Sequence, residues 1–329
     1  MKKLINDVES VLLESLQGFA TAHAGIVSLD DDGRFVRRRV LKPGKVALIS
    51  GGGSGHEPLH AGFVGTGMLD AACPGQVFTS PTPDQMLAAA QAVDTGAGVL
   101  FIVKNYSGDM MNFQIAAEMM TCDNATVTVN DDVAVEDSTY TTGRRGVAGT
   151  LIVEKIVGAA AERGDRLGAL KLLGDSVNKA TASMGVALTS CIVPAAGMPT
   201  FQIGADEMEM GVGIHGEPGR RRVAVTSADE IAAELAGAVL KDLSLSRGSE
   251  VILLVNGFGG TPLLELYVMV HAVHKVLAGA GIKVVRHLTG SYVTSLEMAG
   301  CSVTVHVVND DTLALWDAPV HAAALRWGT

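Results

Sequence analysis

Two histidines set in glycine-rich sequence are the residues of this chain whose surroundings best suit chemistry. His215 lies within Gly211-Val212-Gly213-Ile214-His215-Gly216-Glu217-Pro218-Gly219. A lone histidine at the end of a strand is usually structural, but these glycines strip away steric cover and leave the imidazole open. A neutral imidazole nitrogen is a nucleophile, and it can add to a ketone carbonyl to form a hemiaminal. His56 follows the apolar run Val46–Ser50 in the stretch Gly51-Gly52-Gly53-Ser54-Gly55-His56-Glu57-Pro58. A turn of this kind often cradles phosphate. Here, however, Pro58 stands where a dinucleotide fingerprint needs its third glycine, and no Gly-Lys-Ser/Thr ending is present. The stretch is better suited to a small polar ligand held by backbone N–H groups and an imidazole.

Two charges extend this set. Asp109 falls just before a helical pattern, where an N-cap is the ordinary role of an aspartate. A carboxylate at that position stays ionised and can also accept a proton from a substrate hydroxyl. Lys104 is the one charge in the apolar strand Gly98–Lys104, placed either to meet a ligand oxygen or phosphoryl group or to snorkel at the sheet edge. Other candidates are weaker. His271 and His274 share a helix face but have no third ligand of matching spacing, so no metal site is expected. Asp131-Asp132 reads as a cap or turn at a strand end.

The pattern around these residues is that of an α/β protein with two domains. Val46–Ser50, Gly98–Lys104 and Ala125–Asn130 read as buried strands, each ending in a polar or glycine-rich loop. The pattern of Gln85–Val93 and a helix carrying Met111, Ile115 and Met119 alternate with them. Alternation of this kind predicts a mainly parallel sheet with crossover helices, and ligands bind beyond the carboxyl ends of its strands. The Met and Ala stripes of the helices read as core. A second unit, with a smaller mixed sheet, is expected from Met184–Ser190, Met208–Ile214, Val251–Val255, Val284–Leu288 and Ser302–Val308. Its helices are Ile231–Leu243, capped by Ser227 and Glu230, and one begun by Thr261-Pro262 that runs to about Leu277. The division falls at residues 1–182 and 183–329, with no Pro- or Ser-rich linker to mark it.

Composition narrows the classes of function. The 329 residues are 48% hydrophobic and 18% charged, with 39 glycines and a net charge of −10. That balance argues against nucleic acid or an anionic membrane as a partner. The Arg37–Arg39 and Arg220–Arg222 runs read as solvated surface. Four cysteines far apart, no secretory signal and no long apolar stretch fit a soluble, cytoplasmic protein with reduced thiols.

Taken together, GGGSGHEP, GMLDAACPGQVFTSPTPDQM, KNYSGDMMNF, VNDDVAV, GRRGVAGT, GVGIHGEPG and ALWDAPVHAAALRWG resemble the dihydroxyacetone-binding (K) subunits of multi-subunit dihydroxyacetone kinases, in collinear order from Met1 to Thr329. The resemblance implies that His215 forms the covalent hemiaminal with the ketone carbon. Asp109 would accept the proton of the attacking hydroxyl, and His56 would hydrogen-bond or help deprotonate it. Gly53, Ser54, Gly55, Lys104 and Ser80 would supply further ligand contacts. It also implies that this chain carries no cofactor of its own. Mg and ADP or ATP would sit on a separate L subunit, recharged in bacteria by a phosphotransferase-system component, and the chain would form a homodimer. Two alternatives stay open: a ligand-sensing coactivator of the same fold, and a kinase for a related ketose such as erythrulose.

Overall fold

The computed structural model describes residues 2–136 and 139–329. The chain opens with helix α1 (Val11–Ala22) and the short strands β1 (Val27–Leu29) and β2 (Val36–Arg38). There follow β3 (Ala47–Ser54), β4 (Gly65–Thr66), β5 (Ala71–Val77), α2 (Pro83–Val93), β6 (Val99–Lys104), α3 (Ser107–Met119) and β7 (Asn124–Val129). Helices α4 (Gly149–Arg163) and α5 (Leu167–Lys179) lead into β8 (Thr181–Ala187), β9 (Glu207–Met210), β10 (Arg221–Ala224), α6 (Ala228–Leu243) and β11 (Glu250–Gly257). The remainder is α7 (Leu263–Gly279), β12 (Lys283–Gly290), β13 (Gly300–Val307), α8 (Asp310–Asp317), β14 (Val320–Ala322) and β15 (Arg326–Trp327).

Two six-stranded sheets result. The first runs β1-β2-β5-β3-β6-β7, with β5, β3, β6 and β7 mutually parallel and β1 and β2 antiparallel at one edge. The second runs β10-β9-β8-β13-β11-β12 and is antiparallel except for the β11–β12 pair. Successive side chains of a strand face opposite ways, and the packing follows that rule. In β6, Val99, Phe101 and Val103 pack with Met86, Ala89 and Phe113 of α2 and α3, whereas Leu100 and Ile102 pack with Leu151, Ile152 and Ile156 of α4. In β11, Ile252 and Leu254 join that same central cluster, and Val251, Leu253 and Val255 face α6 and α7. Helix α4 is thus a shared middle layer, and every residue from Gly149 to Ala161 is buried. A segment with no solvent face is expected to be apolar nearly all round, and Glu154 and Lys155 are its buried charged exceptions.

Several expectations need correction. The glycines after Val46–Ser50 do not leave the sheet: β3 stays paired with β5 through Gly53 and Ser54, because residues without a side chain can continue a crowded strand. Met111, Ile115 and Met119 are not core but exposed, while Asp109, Phe113 and Ala116 form the buried face of α3. Helix α3 begins at Ser107, so Asp109 sits inside its first turn and Tyr106 takes the N-cap position. Pro262 likewise occupies the N-cap of α7, and Thr261 instead bonds the backbone of Gly300 through its hydroxyl. The Ser227–Glu230 capping box at α6 is present. The cap or turn expected at Asp131-Asp132 is present, since Asp132 Oδ1 accepts the Ala134 N–H at 2.9 Å and Asp131 caps a helix from a distance. Asp131 accepts N–H bonds from Val147 and Gly149 at the start of α4 and the hydroxyl proton of Ser183 in β8. Among the described residues no helix is long and apolar enough to cross a membrane.

His306, in β13, is buried, and only its Nδ1 has a partner, the Thr181 hydroxyl at 2.9 Å. Burial pushes its pKa from 6.5 down to about 4. Below pH 6.5 the unfolded chain therefore binds a proton that the folded chain refuses, and stability falls until about pH 4. The slope from this one group is at most about 1.4 kcal/mol per pH unit. Urea unfolding across that window should show a shallower loss for His306→Gln than for the parent protein. Parallel slopes would show that this histidine contributes nothing to acid sensitivity.

Candidate functional site

The parallel strands of the first sheet deliver their carboxyl ends to one place, and the second half of the chain covers it. Strand β3 brings Gly53 and then His56, and β6 brings Lys104 and then Asp109. The loop between β9 and β10 brings His215. Gly53, Ser80, Asp109, His215 and Glu217 line a cavity of about 650 Å³.

His215 is held on all sides. Its ring meets Tyr106 edge-on with centroids 4.5 Å apart, Phe78 at 5.2 Å and His56 at 4.8 Å. Glu217, two residues on, accepts the His215 backbone N–H at 2.9 Å and binds Nδ1 at 2.8 Å. Burial opposes ionisation of Glu217, but His215 and Arg145 outweigh it and hold this carboxyl near pKa 2. A carboxylate can only accept, so Nδ1 carries a proton, and in the neutral ring the lone pair is on Nε2. The loop is anchored in turn by the fully buried Arg145. Its guanidinium donates to Asp132 at 2.8 Å and to the carbonyls of Gly211 at 2.6 Å and Pro218 at 3.3 Å. Asp132 thereby ties the end of the first sheet to the His215 loop.

His56 is buried and stacks on Phe78 at 5.0 Å, a residue whose φ of +57° places it in the left-handed region. Side chains other than glycine rarely adopt that backbone, and such strain concentrates at functional sites. His56 Nδ1 donates to the Thr294 carbonyl at 2.7 Å, which leaves Nε2 as a lone pair with no partner. Burial first, then His215 and Lys104, push its pKa well below the ordinary histidine value, so the ring is neutral. The segment after β12 braces it: Thr294 and Leu296 donate N–H bonds to the carbonyls of His56 and Gly55.

Lys104 and Asp109 are both buried, with Nζ and Oδ2 3.6 Å apart. Ser80 lines the cavity beside Asn112. Ser54 and Gly55 are less free than expected, since the Ser54 hydroxyl is donated to the Gly75 carbonyl at 2.7 Å and the Gly55 N–H goes to Glu57. The discounted His274 meets not His271 but His287 on β12, Nε2 to Nε2 at 2.5 Å. The site also contains residues that sequence reasoning passed over. Glu217 was legible in the His-Gly-Glu-Pro stretch, and Tyr106 lies between Lys104 and Asp109. Phe78, Thr294 and Arg145 carry no local signal.

The arrangement sets the oriented imidazole of His215 and the carboxylate of Asp109 at one cavity, with the neutral His56 ring and the Lys104 ammonium group packed behind them. The family model for the Dak1 domain matches residues 17–324. The chain belongs to the Dak1 family. It is 49% identical, over the full length of both chains, to the dihydroxyacetone-binding subunit DhaK of the PEP-dependent dihydroxyacetone kinase of Escherichia coli. Among solved structures, the dihydroxyacetone kinase operon co-activator DhaQ superposes with a TM-score of 0.90 at 34% identity, covering 97% of this chain and 98% of that one. The dihydroxyacetone kinase of C. freundii superposes at 0.87 and 33% identity, covering 99% of this chain and 60% of that longer one. Dak1 relatives are thus named both for phosphotransfer and for coactivation, and the side chains of the cavity must decide between them.

Glycine is required where β3 passes the cavity. A Cβ on Gly53 would lie 2.5 Å from the Thr79 nitrogen and 2.7 Å from the Phe78 carbonyl carbon, both backbone atoms that cannot swing aside. Gly53→Ala should lower stability by about 1–3 kcal/mol, as overpacking does, and should loosen the Phe78–His56 stack. A denaturation midpoint equal to that of the parent protein would refute this account of the strand.

Proposed function

We propose that this chain is the ketose-binding subunit of a dihydroxyacetone kinase, and that it captures dihydroxyacetone as a hemiaminal on His215 and presents the terminal hydroxyl for phosphorylation. The observation that carries this reading is the bond from His215 Nδ1–H to Glu217, which leaves Nε2 as a nucleophile facing the cavity. Nε2 forms a bond to the ketone carbon, the carbonyl π pair moves to oxygen, and that oxygen takes up a proton from solvent while Nδ1 keeps its own. The positive charge that develops on the ring is balanced by Glu217.

Covalent capture suits so small a ligand. A three-carbon polyol offers little apolar surface, so affinity from contacts alone is limited. A carbon–nitrogen bond supplies both affinity and orientation, and it rejects glycerol, which has no carbonyl. With C2 fixed, the terminal hydroxyl is aimed at the incoming phosphoryl group, and positioning is most of what this reaction asks of a protein. Asp109 or the free lone pair of His56 accepts the hydroxyl proton as the oxygen–phosphorus bond forms. The nucleotide with its Mg belongs to a separate L subunit, recharged from phosphoenolpyruvate through a phosphoryl relay, a reading supported by the PEP-dependent name of the E. coli relative. A cytoplasmic homodimer working with that subunit completes the proposal.

The co-activator relative keeps a second reading in view, since a sensor needs capture alone. The neutral His56 and buried Asp109 favour catalysis, because capture uses neither. Intact-mass analysis with dihydroxyacetone should show an adduct that His215→Ala abolishes; undiminished binding in that variant would defeat the capture step. Asp109→Asn should keep the adduct yet lose at least about a hundredfold in turnover with the L subunit, the usual worth of a general base. Turnover within a few-fold of the parent protein would remove Asp109 as the base.

A further inference from the structure

Behind Lys104 lies a line of buried ionisable groups that the capture chemistry does not use. Lys104 Nζ is 2.9 Å from His60 Nε2, and His60 Nδ1 is 2.6 Å from Glu154 Oε1 in the middle of α4. Ser50 Oγ donates to the Ile102 carbonyl at 2.7 Å and so offers His60 Nδ1 only an acceptor, at 3.0 Å. Glu154 is wholly buried, and its Oε2 has no partner. At the other end, Lys104 Nζ reaches the Gly51 carbonyl at 3.3 Å and Asp109 at 3.6 Å. A Cβ on Gly52 would fall 2.3 Å from Nζ, so the glycine leaves room for the amine directly under the strand. The groups that face this line are Lys104 from β6, Asp109 from α3, Glu154 from α4, and His56 and His60 from the segment after β3.

Hydrogen-bond logic allows the trio two arrangements. In one, the Lys104 ammonium donates to His60 Nε2 and His60 Nδ1–H donates to the Glu154 carboxylate. In the other, protonated Glu154 donates to Nδ1 and Nε2–H donates to the neutral Lys104 amine. Both hold the same number of protons and the same net charge of zero. They interconvert when one N–H bond at Lys104 breaks as one forms at His60 Nε2, while the Nδ1 proton passes to Glu154.

We propose that Glu154 and His60 are positioning residues that, with Lys104, form a buried proton relay ending at Asp109. The relay sets the charge on Lys104 according to the protonation of Asp109. While Asp109 is anionic, its charge draws the proton outward and Lys104 is an ammonium. When Asp109 takes up the substrate proton, that pull ends and the proton shifts inward to Glu154. Burial supports the inward arrangement, since it raises the Glu154 carboxyl to about 8 against the opposing pull of Lys104, and it keeps His60 neutral. This assignment rests on the kinase reading above.

The test uses Glu154→Gln, which matches the shape but cannot take the proton, and His60→Gln, which cuts the line. With the carboxylate gone, the Lys104 ammonium keeps only Asp109 as a counter-charge, so it loses its proton at lower pH. In both variants kcat for ketose phosphorylation with the L subunit should fall about ten- to a hundredfold. The alkaline limb of the kcat profile should move down by about one pH unit, while the His215 adduct still forms. Glu154→Asp should recover part of the rate. A second measurement needs neither ketose nor partner: NMR titration of the chain labelled with 13C at lysine Cε should show Lys104 deprotonating at lower pH in Glu154→Gln. An unchanged Lys104 titration, or kcat profiles that superimpose while the adduct forms, would overturn the relay. Turnover of dihydroxyacetone by the parent protein with the L subunit separately decides the kinase reading, because a sensor would form the adduct as well.

Discussion

A neutral imidazole has one proton for two nitrogens, and in this chain Glu217 determines which nitrogen holds it. The carboxylate is two residues from His215, nearly buried, and kept ionised by the ring itself and by Arg145. Without that acceptor the histidine could direct Nδ1–H or Nε2–H toward the cavity with similar ease. With it, the lone pair of the neutral ring has one direction. Arg145 extends the constraint by joining the His215 loop to Asp132 at the end of the first sheet. The orientation of one ring is thereby tied to the packing of both halves of the protein.

Burial favours the neutral form on both sides of the cavity but prevails on only one. It keeps His56 neutral, with its Nε2 lone pair free, whereas Glu217 stays ionised because a cation and a polarised ring lie beside it. The first sheet contributes the glycine strand and the Lys–Asp pair, and the second contributes the histidine loop and the Thr294 brace. Neither half holds a complete site.

The sequence made the parallel sheet, the crossover helices and the principal chemical residues legible, because apolar periodicity and glycine spacing are local signals. The strands ending at Gly53 and Lys104 do place their loops at one cavity, as the rule for carboxyl ends requires. Expectations failed where the deciding partner was distant in sequence. Met111, Ile115 and Met119 have core spacing, yet Phe113 and Ala116 on the neighbouring face are the residues that meet the sheet. Asp131 and Asp132 do cap and turn the chain as read, but their bonds to Ser183 and Arg145 left no local signal. Glu154 did leave a trace, a charge pair inside an apolar helix, whose meaning depends on His60 almost a hundred positions earlier.

Strand β14 pairs with β4, and the Ala324 N–H bonds the carbonyl of Gly62, so the last segment of the chain closes over the stretch that follows the glycine strand. During synthesis, therefore, the loop carrying His60 waits for its cover until residues 320–324 have emerged. A stretch made early is covered by one made more than 250 residues later.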